Sequence, residues 1–347
     1  MPYQSIFRAE LFQGQTVIVT GGGSGIGRCT AHELASLGAH VALVGRKLDK
    51  LQAVQAEITE DGGSASSHAA DIREEPQVIQ AITEVLAQRG AIHGLVNNAG
   101  GQYRAPMKTI STKGFEAVVR SNLTGGFIVM REAYNRWMAE HGGSIVNVIA
   151  DIWHGWPDYA HSGAARGGML TLSETAACEW AVSGVRVNCV APSGIASSGF
   201  DTYTPEAKAK ILLFPPTVPL QRYGTESEIA SAIASAIVYL LSPAVAYITG
   251  SCVRVDGGSP NFRPGTWQLE AHQRSEPFNG FHRSVQPEWL RTGKRGPSPD
   301  EHPGRRAGTG PAHRGLSGPA GGPRCGGERA AALSGGFFLA HLRPVGA

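Results

Sequence analysis

The residues that most constrain the fold lie between Thr16 and Gly38. Thr16-Val17-Ile18-Val19-Thr20 is a β-branched run of the kind that forms a buried strand. It leads into Gly21-Gly22-Gly23-Ser24-Gly25-Ile26-Gly27, and Arg28 to Leu37 then reads as a helix closed by Gly38. A glycine-rich turn between strand and helix lets the backbone approach a pyrophosphate, and the helix N-terminus supplies unpaired N–H groups and a positive dipole. Glycine turns also arise for steric reasons alone, so the strand–turn–helix context is what carries the signal. The expected phosphate holders are Gly21, Ser24, Gly25, Ile26 and Gly27.

The same alternation continues to about Asp256. Strands are expected at His40–Val44, Gly94–Val96, Ser144–Val148, Val185–Val190 and Cys252–Val255. Helices are expected through Leu48–Ile58, from Gly114 to about Met138, from Ser162 to Val182 and from Glu226 to Leu241. Apolar runs of this length without clean alternation imply strands covered on both faces. The fold class that follows is α/β, a Rossmann-type doubly wound parallel sheet in a single domain over residues 1–262.

Beyond that domain the composition changes. Residues 263–293 carry Trp267, Phe278, Phe281 and Trp289 and are expected to form a C-terminal arm. Residues 294–347 hold 13 Gly and 7 Pro, with 8 Lys/Arg against 3 Asp/Glu, so a low-complexity, disordered tail is expected. The formal charge of +3 therefore belongs to the tail, and the body shows no basicity pointing to nucleic acid. No apolar run reaches the ~18 residues a membrane helix needs. Five scattered cysteines without a C-x-x-C pair argue against a disulfide scaffold or a zinc site. The N-terminus lacks an apolar signal region, and a cytoplasmic protein without a metal is the expectation.

The spacing T-G-x-x-x-G-x-G at Thr20–Gly27 resembles that of the short-chain dehydrogenase/reductases. Asn97-Asn98-Ala99-Gly100 resembles that family's N-N-A-G, and Asn122 in Ser121-Asn122-Leu123-Thr124-Gly125 resembles its mid-helix asparagine. The resemblance covers about residues 10–260 and implies a nicotinamide cofactor, with Asn98 and Gly100 at its binding site. It also implies a homo-oligomer, a dimer or tetramer. Where an acidic residue would grip the ribose 2′-OH of NAD, this chain has Gly45-Arg46-Lys47. A guanidinium and an ammonium there suit a 2′-phosphate, so NADP(H) is the expected cofactor. Asp71-Ile72 resembles the family's adenine contact, and Ile195 is placed to offer backbone groups to the carboxamide.

The catalytic pattern departs from the family's. A typical member carries a serine after the fifth strand and Y-x-x-x-K early in the next helix. Here Ile149-Ala150-Asp151 lacks that serine, Ser162 stands where tyrosine is expected, and Arg166 stands where lysine is expected. A serine hydroxyl is too weak an acid to replace a phenol, and arginine does not give up its proton. Both remain donors, which suits stabilisation of an enolate oxygen during reduction of a C=C bond conjugated to a thioester.

The stretch His161-Ser162-Gly163-Ala164-Ala165-Arg166 also resembles that of peroxisomal trans-2-enoyl-CoA reductases. The implied roles are Asn122 orienting water or backbone, Ser162 donating to the thioester oxygen and Arg166 holding the nicotinamide ribose. The source of the proton for Cα stays open between water and an acid, for which His161, Tyr159 and Asp151 are the nearby candidates. Two rival readings stand beside this one. The first is an alcohol dehydrogenase or ketoreductase on acyl or terpenoid substrates with Tyr159 as acid. The second is a non-catalytic NADPH-binding protein.

Overall fold

The computed structural model describes residues 7–196, 215–224, 234–261, 269–272, 275 and 281–283. The tail from 294, the expected helix start at Glu226, and the apolar residues Phe200, Tyr203, Leu212, Leu213 and Phe214 lie outside them. Seven parallel strands form one sheet in the order β3-β2-β1-β4-β5-β6-β7. They are β1 (Thr16–Thr20), β2 (His40–Gly45), β3 (Ser64–Ala69), β4 (Gly94–Asn97), β5 (Gly143–Val148), β6 (Val185–Pro192) and β7 (Cys252–Val255). The order reverses at β1, which pairs with both β2 and β4. Loops leaving the C-terminal ends of β1 and β4 therefore diverge and open a crevice.

The helices are α1 (Gly25–Ser36), α2 (Leu48–Glu60), α3 (Glu75–Arg89), α4 (Thr112–Val119), α5 (Gly125–Ala133), α6 (Ala139–His141), α7 (Ala160–Glu179) and α8 (Ala234–Leu241). The expected helix from Gly114 to Met138 is α4 through α6, joined by π-helical turns at Arg120–Thr124 and Tyr134–Met138. Each π turn adds a residue to the helical repeat and re-aims the side chains beyond it. Core lies on both faces of the sheet: Val17 and Val19 pack with Leu34 and Leu43, whereas Ile18 packs with Leu95, Met130 and Ile145. That two-sided burial is why the strands show no alternation. Phe281 is buried in the first of these layers, where Arg28 stacks over its ring and His32 packs beside it.

Strand β3 is the exception, reading Ser-Ala-Ser-Ser-His-Ala on the sheet edge. Its polar side chains form a hydrogen-bonded chain. His40 Nδ1 meets Ser64 Oγ at 2.7 Å and its Nε2 meets Ser66 Oγ at 3.1 Å. Ser66 in turn meets His68 Nε2 at 2.9 Å, and His68 Nδ1 meets Glu84 at 3.2 Å. Burial, with the positive fields of Arg89 and His68, pushes the His40 pKa down to about 4. The fold thus holds a neutral imidazole that the unfolded chain would protonate below about pH 6.5. Stability present above that pH is lost as the pH falls toward 4, by roughly 3 kcal/mol in all. His32 and His93, also lowered by burial, act in the same direction. Urea titrations at pH 7 and 4.5 are expected to show this loss, and His40→Gln should remove most of it. An equal loss in that variant would rule His40 out as its source.

Candidate active site

The glycine turn is locked onto the end of β4. Thr20 Oγ1 accepts from the backbone N–H groups of Asn98 and Ala99, both at 2.9 Å, and Asn98 Nδ2 donates to the Thr20 carbonyl at 3.0 Å. Asn98 is therefore a clamp between strands β1 and β4 through its side chain. Gly27 is buried beneath the turn, where a Cβ would overlap the Gly21 carbonyl oxygen and lie 2.7 Å from Asn98 Nδ2. Gly25, at φ +51°, faces open space instead. Ser24, the residue before α1, is exposed and its hydroxyl does not cap the helix. The first-turn N–H groups and that hydroxyl are left to meet an anion.

A cavity of about 260 Å³ lies against this turn, walled by Gly21, Gly23 and Ser24 on one side and by Arg46, Lys47, Lys50, Asp71, Ile72 and Arg73 on the other. Ala99, Gly100 and Ser121 complete the end toward Asn122 and Arg166. Four cations against one carboxylate leave this wall net positive. Arg46 and Lys47 are exposed at the rim. Asp71 is held by Arg73, whose Nε reaches Oδ1 at 2.9 Å and Oδ2 at 3.1 Å. These bonds hold the Asp71 carboxyl below the usual range. Arg73 and Lys50 were not legible as site residues from sequence, since each joins the wall only when α2 and the segment after β3 are folded against the turn.

At the other end, Ser162 and Arg166 project from the first turns of α7. Ser162 is fully buried and its hydroxyl donates to Gln102 Oε1 at 2.6 Å. Arg166 donates to the Val148 carbonyl at 2.8 Å. Burial lowers its pKa to about 10, which leaves the guanidinium charged at neutral pH. A Cβ at Gly100 would collide with both the Arg166 guanidinium and Asn122 Oδ1. Asn122, in the π turn after α4, accepts from Gly101 N at 3.2 Å and donates to Gly101 O at 2.6 Å and Val118 O at 2.9 Å. It fixes the β4 loop in the register that presents Gly100 and Gln102. His161 is buried, accepts from the Ser162 N–H at 2.8 Å, and packs edge-on against Tyr103. Its Nε2 has no hydrogen-bond partner among the described residues, and burial lowers its pKa.

A family model, short chain dehydrogenase, matches residues 15–208. The chain belongs to the short-chain dehydrogenase family. It is 34% identical over 247 residues to a probable 2,4-dienoyl-CoA reductase of Bacillus subtilis, covering 70% of this chain and 96% of that one. It is 36% identical over 256 residues to a glucose 1-dehydrogenase of Gluconobacter oxydans, covering 72% and 93%. Among solved structures it matches the citronellol catabolism dehydrogenase AtuB of Pseudomonas aeruginosa PAO1 at 56% identity. That match covers 74% of this chain and 100% of that one, with a TM-score of 0.66. The chain is thus an oxidoreductase of this family, acting on a small molecule with a nicotinamide cofactor.

Set against the family pattern, the structure brings the departures together in one place. Ser162 and Arg166, which stand where the family's tyrosine and lysine are expected, come together with Asn122, Gly100 and Gln102 at the end of β4. Ile195 bridges to Gly224, with Ala196 N donating to Gly224 O and Gly224 N donating to Gly194 O. Ile195's own N–H and C=O are not used in that bridge. Asp151 accepts from Ser193 Oγ at 3.4 Å, and Arg104 forms an ion pair with Asp158 that ties the β4 loop to the segment before α7. Trp153 lies under Arg254, and Trp156 packs against Tyr159. Gln102 lies in a family-like run, Gly100-Gly101-Gln102, but its contact with Ser162 could not be read from sequence, because the two are 60 positions apart. Among the described residues no group of metal-ligating side chains is found, and no helix is long and apolar enough to cross a membrane.

Proposed function

We propose that the chain is an NADPH-dependent reductase of the C=C bond of trans-2-enoyl thioesters. The observation that carries this reading is the pair of fully buried Ser162 and half-buried Arg166, two side chains with donor groups one helical turn apart and no phenol at either position. NADPH, when bound, would supply the hydride. Gly21, Ser24, Gly25, Ile26 and Gly27 would hold its pyrophosphate, Arg46 and Lys47 its 2′-phosphate, and Asp71 and Ile72 its adenine. Gly100 and Ile195 would face the nicotinamide end, with Arg166 at the ribose. Ser162 and the field of Arg166 would stabilise the negative charge that develops on the thioester oxygen. Such an oxyanion requires donors, no group has to accept a proton from an alcohol, and the enolate would be completed by a proton delivered to Cα from water. The exposed Phe115 and Phe127 on the long α4–α5 helix support a homodimer or tetramer.

A second reading is a dehydrogenase of terpenoid alcohols with Tyr159 as acid, supported by the 56% identity to the dehydrogenase named for citronellol catabolism. NADPH oxidation with crotonyl- and decenoyl-CoA, beside acetoacetyl-CoA and a panel of alcohols with NADP⁺, separates the two. Turnover of the enoyl thioesters is expected. Oxidation of alcohols without enoyl turnover would replace the first reading by the second.

Arg46→Ala tests the cofactor. Loss of charge-assisted bonds to a 2′-phosphate is expected to weaken NADPH binding by roughly ten- to a hundredfold, about 1.5–3 kcal/mol. NADH binding should change little. Equal NADPH and NADH affinities in the parent protein would exclude the assignment.

A further inference from the structure

Ser162 carries a single proton, and in this structure that proton is spent on Gln102 Oε1 at 2.6 Å. A hydroxyl that donates to Gln102 has only lone pairs left for a ligand, so it cannot stabilise an oxyanion in this arrangement. The partner is an amide, which carries an acceptor at one corner and donors at the other. Rotation by 180° about its last torsion, a broad two-fold one, exchanges them. With Nε2 toward Ser162, Gln102 would donate to Oγ and the serine proton would be released to point elsewhere. The surroundings permit this turn. Gln102 is exposed on the β4 loop, and its Nε2 makes no hydrogen bond among the described residues. Ser162, by contrast, is fully buried and does not donate back to its own helix. The loop itself is held still by Asn122 and by the Arg104–Asp158 pair, so the mobile element is the amide and not its backbone.

We propose that Gln102 is a positioning residue that sets the direction of the Ser162 proton. Its carbonyl holds the hydroxyl in the resting site, and its amide N–H₂ turns the hydroxyl outward when a carbonyl oxygen of substrate arrives. This deepens the enoyl-thioester reading and rests on it for the identity of that oxygen.

The test turns on Gln102→Glu. A carboxylate reproduces the resting hydrogen bond and strengthens it, but cannot donate to Oγ. A merely structural tie between loop and helix would survive this change. The proposal expects kcat at pH 7.5 to fall by about a hundredfold, the scale of losing one oxyanion donor, with KM, melting temperature and NADPH affinity nearly unchanged. Protonation restores a donor to the side chain. The variant's kcat relative to the parent's should therefore stay near a hundredth down to about pH 6.3 and then climb about tenfold per pH unit toward the carboxyl range near 4.3. Gln102→Leu, lacking donor and acceptor alike, should show a lowered kcat ratio that is flat with pH.

Parent-like kcat in Gln102→Glu, or a loss that is flat with pH, would overturn the proposal. If the parent reduces enoyl thioesters while Gln102→Glu does so equally well, only Gln102's role falls. If the parent turns over a ketone or alcohol instead, the same variants are measured on that substrate. A pH-reversible loss there keeps Gln102's role and removes the enoyl reading. A parent that turns over no substrate of the panel overturns both.

Discussion

Ser162→Ala is expected to lower kcat for enoyl-thioester reduction by about 10²–10³ while leaving NADPH affinity nearly unchanged. The magnitude is that of removing one donor aimed at a developing oxyanion. The selectivity follows from where the hydroxyl sits. It bonds Gln102, not the glycine turn or the basic wall, so the cofactor end has no reason to respond. The variant should also fold well. The group left behind is the Gln102 carbonyl, which is on the surface and can take a water instead. That keeps the stability cost near 1 kcal/mol, the net worth of an ordinary hydrogen bond, and well short of a buried unsatisfied group. Single-turnover reduction of crotonyl-CoA beside NADPH titration and thermal melts would measure all three quantities. A parent-like kcat would remove Ser162 from the chemistry, and a large fall in NADPH affinity would move its role to the cofactor.

The parts of this molecule that were legible in the sequence are those whose physics is local. Strands β1, β2, β4, β5 and β6 are β-branched or apolar runs, and the sheet that buries them on both faces is the consequence of that composition. Helix α1 begins at Gly25, three residues before the expected start, because the last glycines of the turn already have helical hydrogen bonding. Strand β3 gave no apolar signal, since an edge strand of serines and histidines is held by side-chain hydrogen bonds to β2 and Glu84. Helix α3 was likewise unread. The π turns in the long helix left the apolar periodicity intact on average, so only coordinates reveal that Asn122 sits in one of them.

The site shows the same division. The motif residues Gly21 to Gly27, Arg46, Asn122, Ser162 and Arg166 declare themselves by type and spacing. Arg73 and the Gln102–Ser162 contact do not: Arg73 joins the cavity wall only once the segment after β3 is folded against the turn, and Gln102 lies 60 positions from Ser162. Asn98 was legible as a site residue but not as a clamp, since its amide is used up on Thr20.

That clamp underlies the last expected result: Gly27→Ala should destabilise the fold by about 3 kcal/mol, the upper end of ordinary overpacking. It should also weaken NADPH binding on the order of a hundredfold, about 2.7 kcal/mol. An added Cβ would overlap the carbonyl oxygen of Gly21, a backbone atom that cannot rotate away. Gly21 is tied by its N–H to the Val44 carbonyl at 2.8 Å, and the adjoining Thr20 carbonyl is tied to Asn98. Relief therefore requires the whole turn to lift from α1, breaking the register that would aim backbone N–H groups at a pyrophosphate. Gly62→Ala provides the control. Gly62, unlike Gly27, has a positive φ, +85°, and a Cβ there meets no atom within 4 Å. Its expected cost is the left-handed backbone strain alone, about 1–2 kcal/mol, with no change in NADPH affinity. If Gly27→Ala bound NADPH as the parent does and melted with Gly62→Ala, the turn would not be the phosphate cradle. The anion site would then have to be sought along the basic wall of Arg46, Lys47, Lys50 and Arg73.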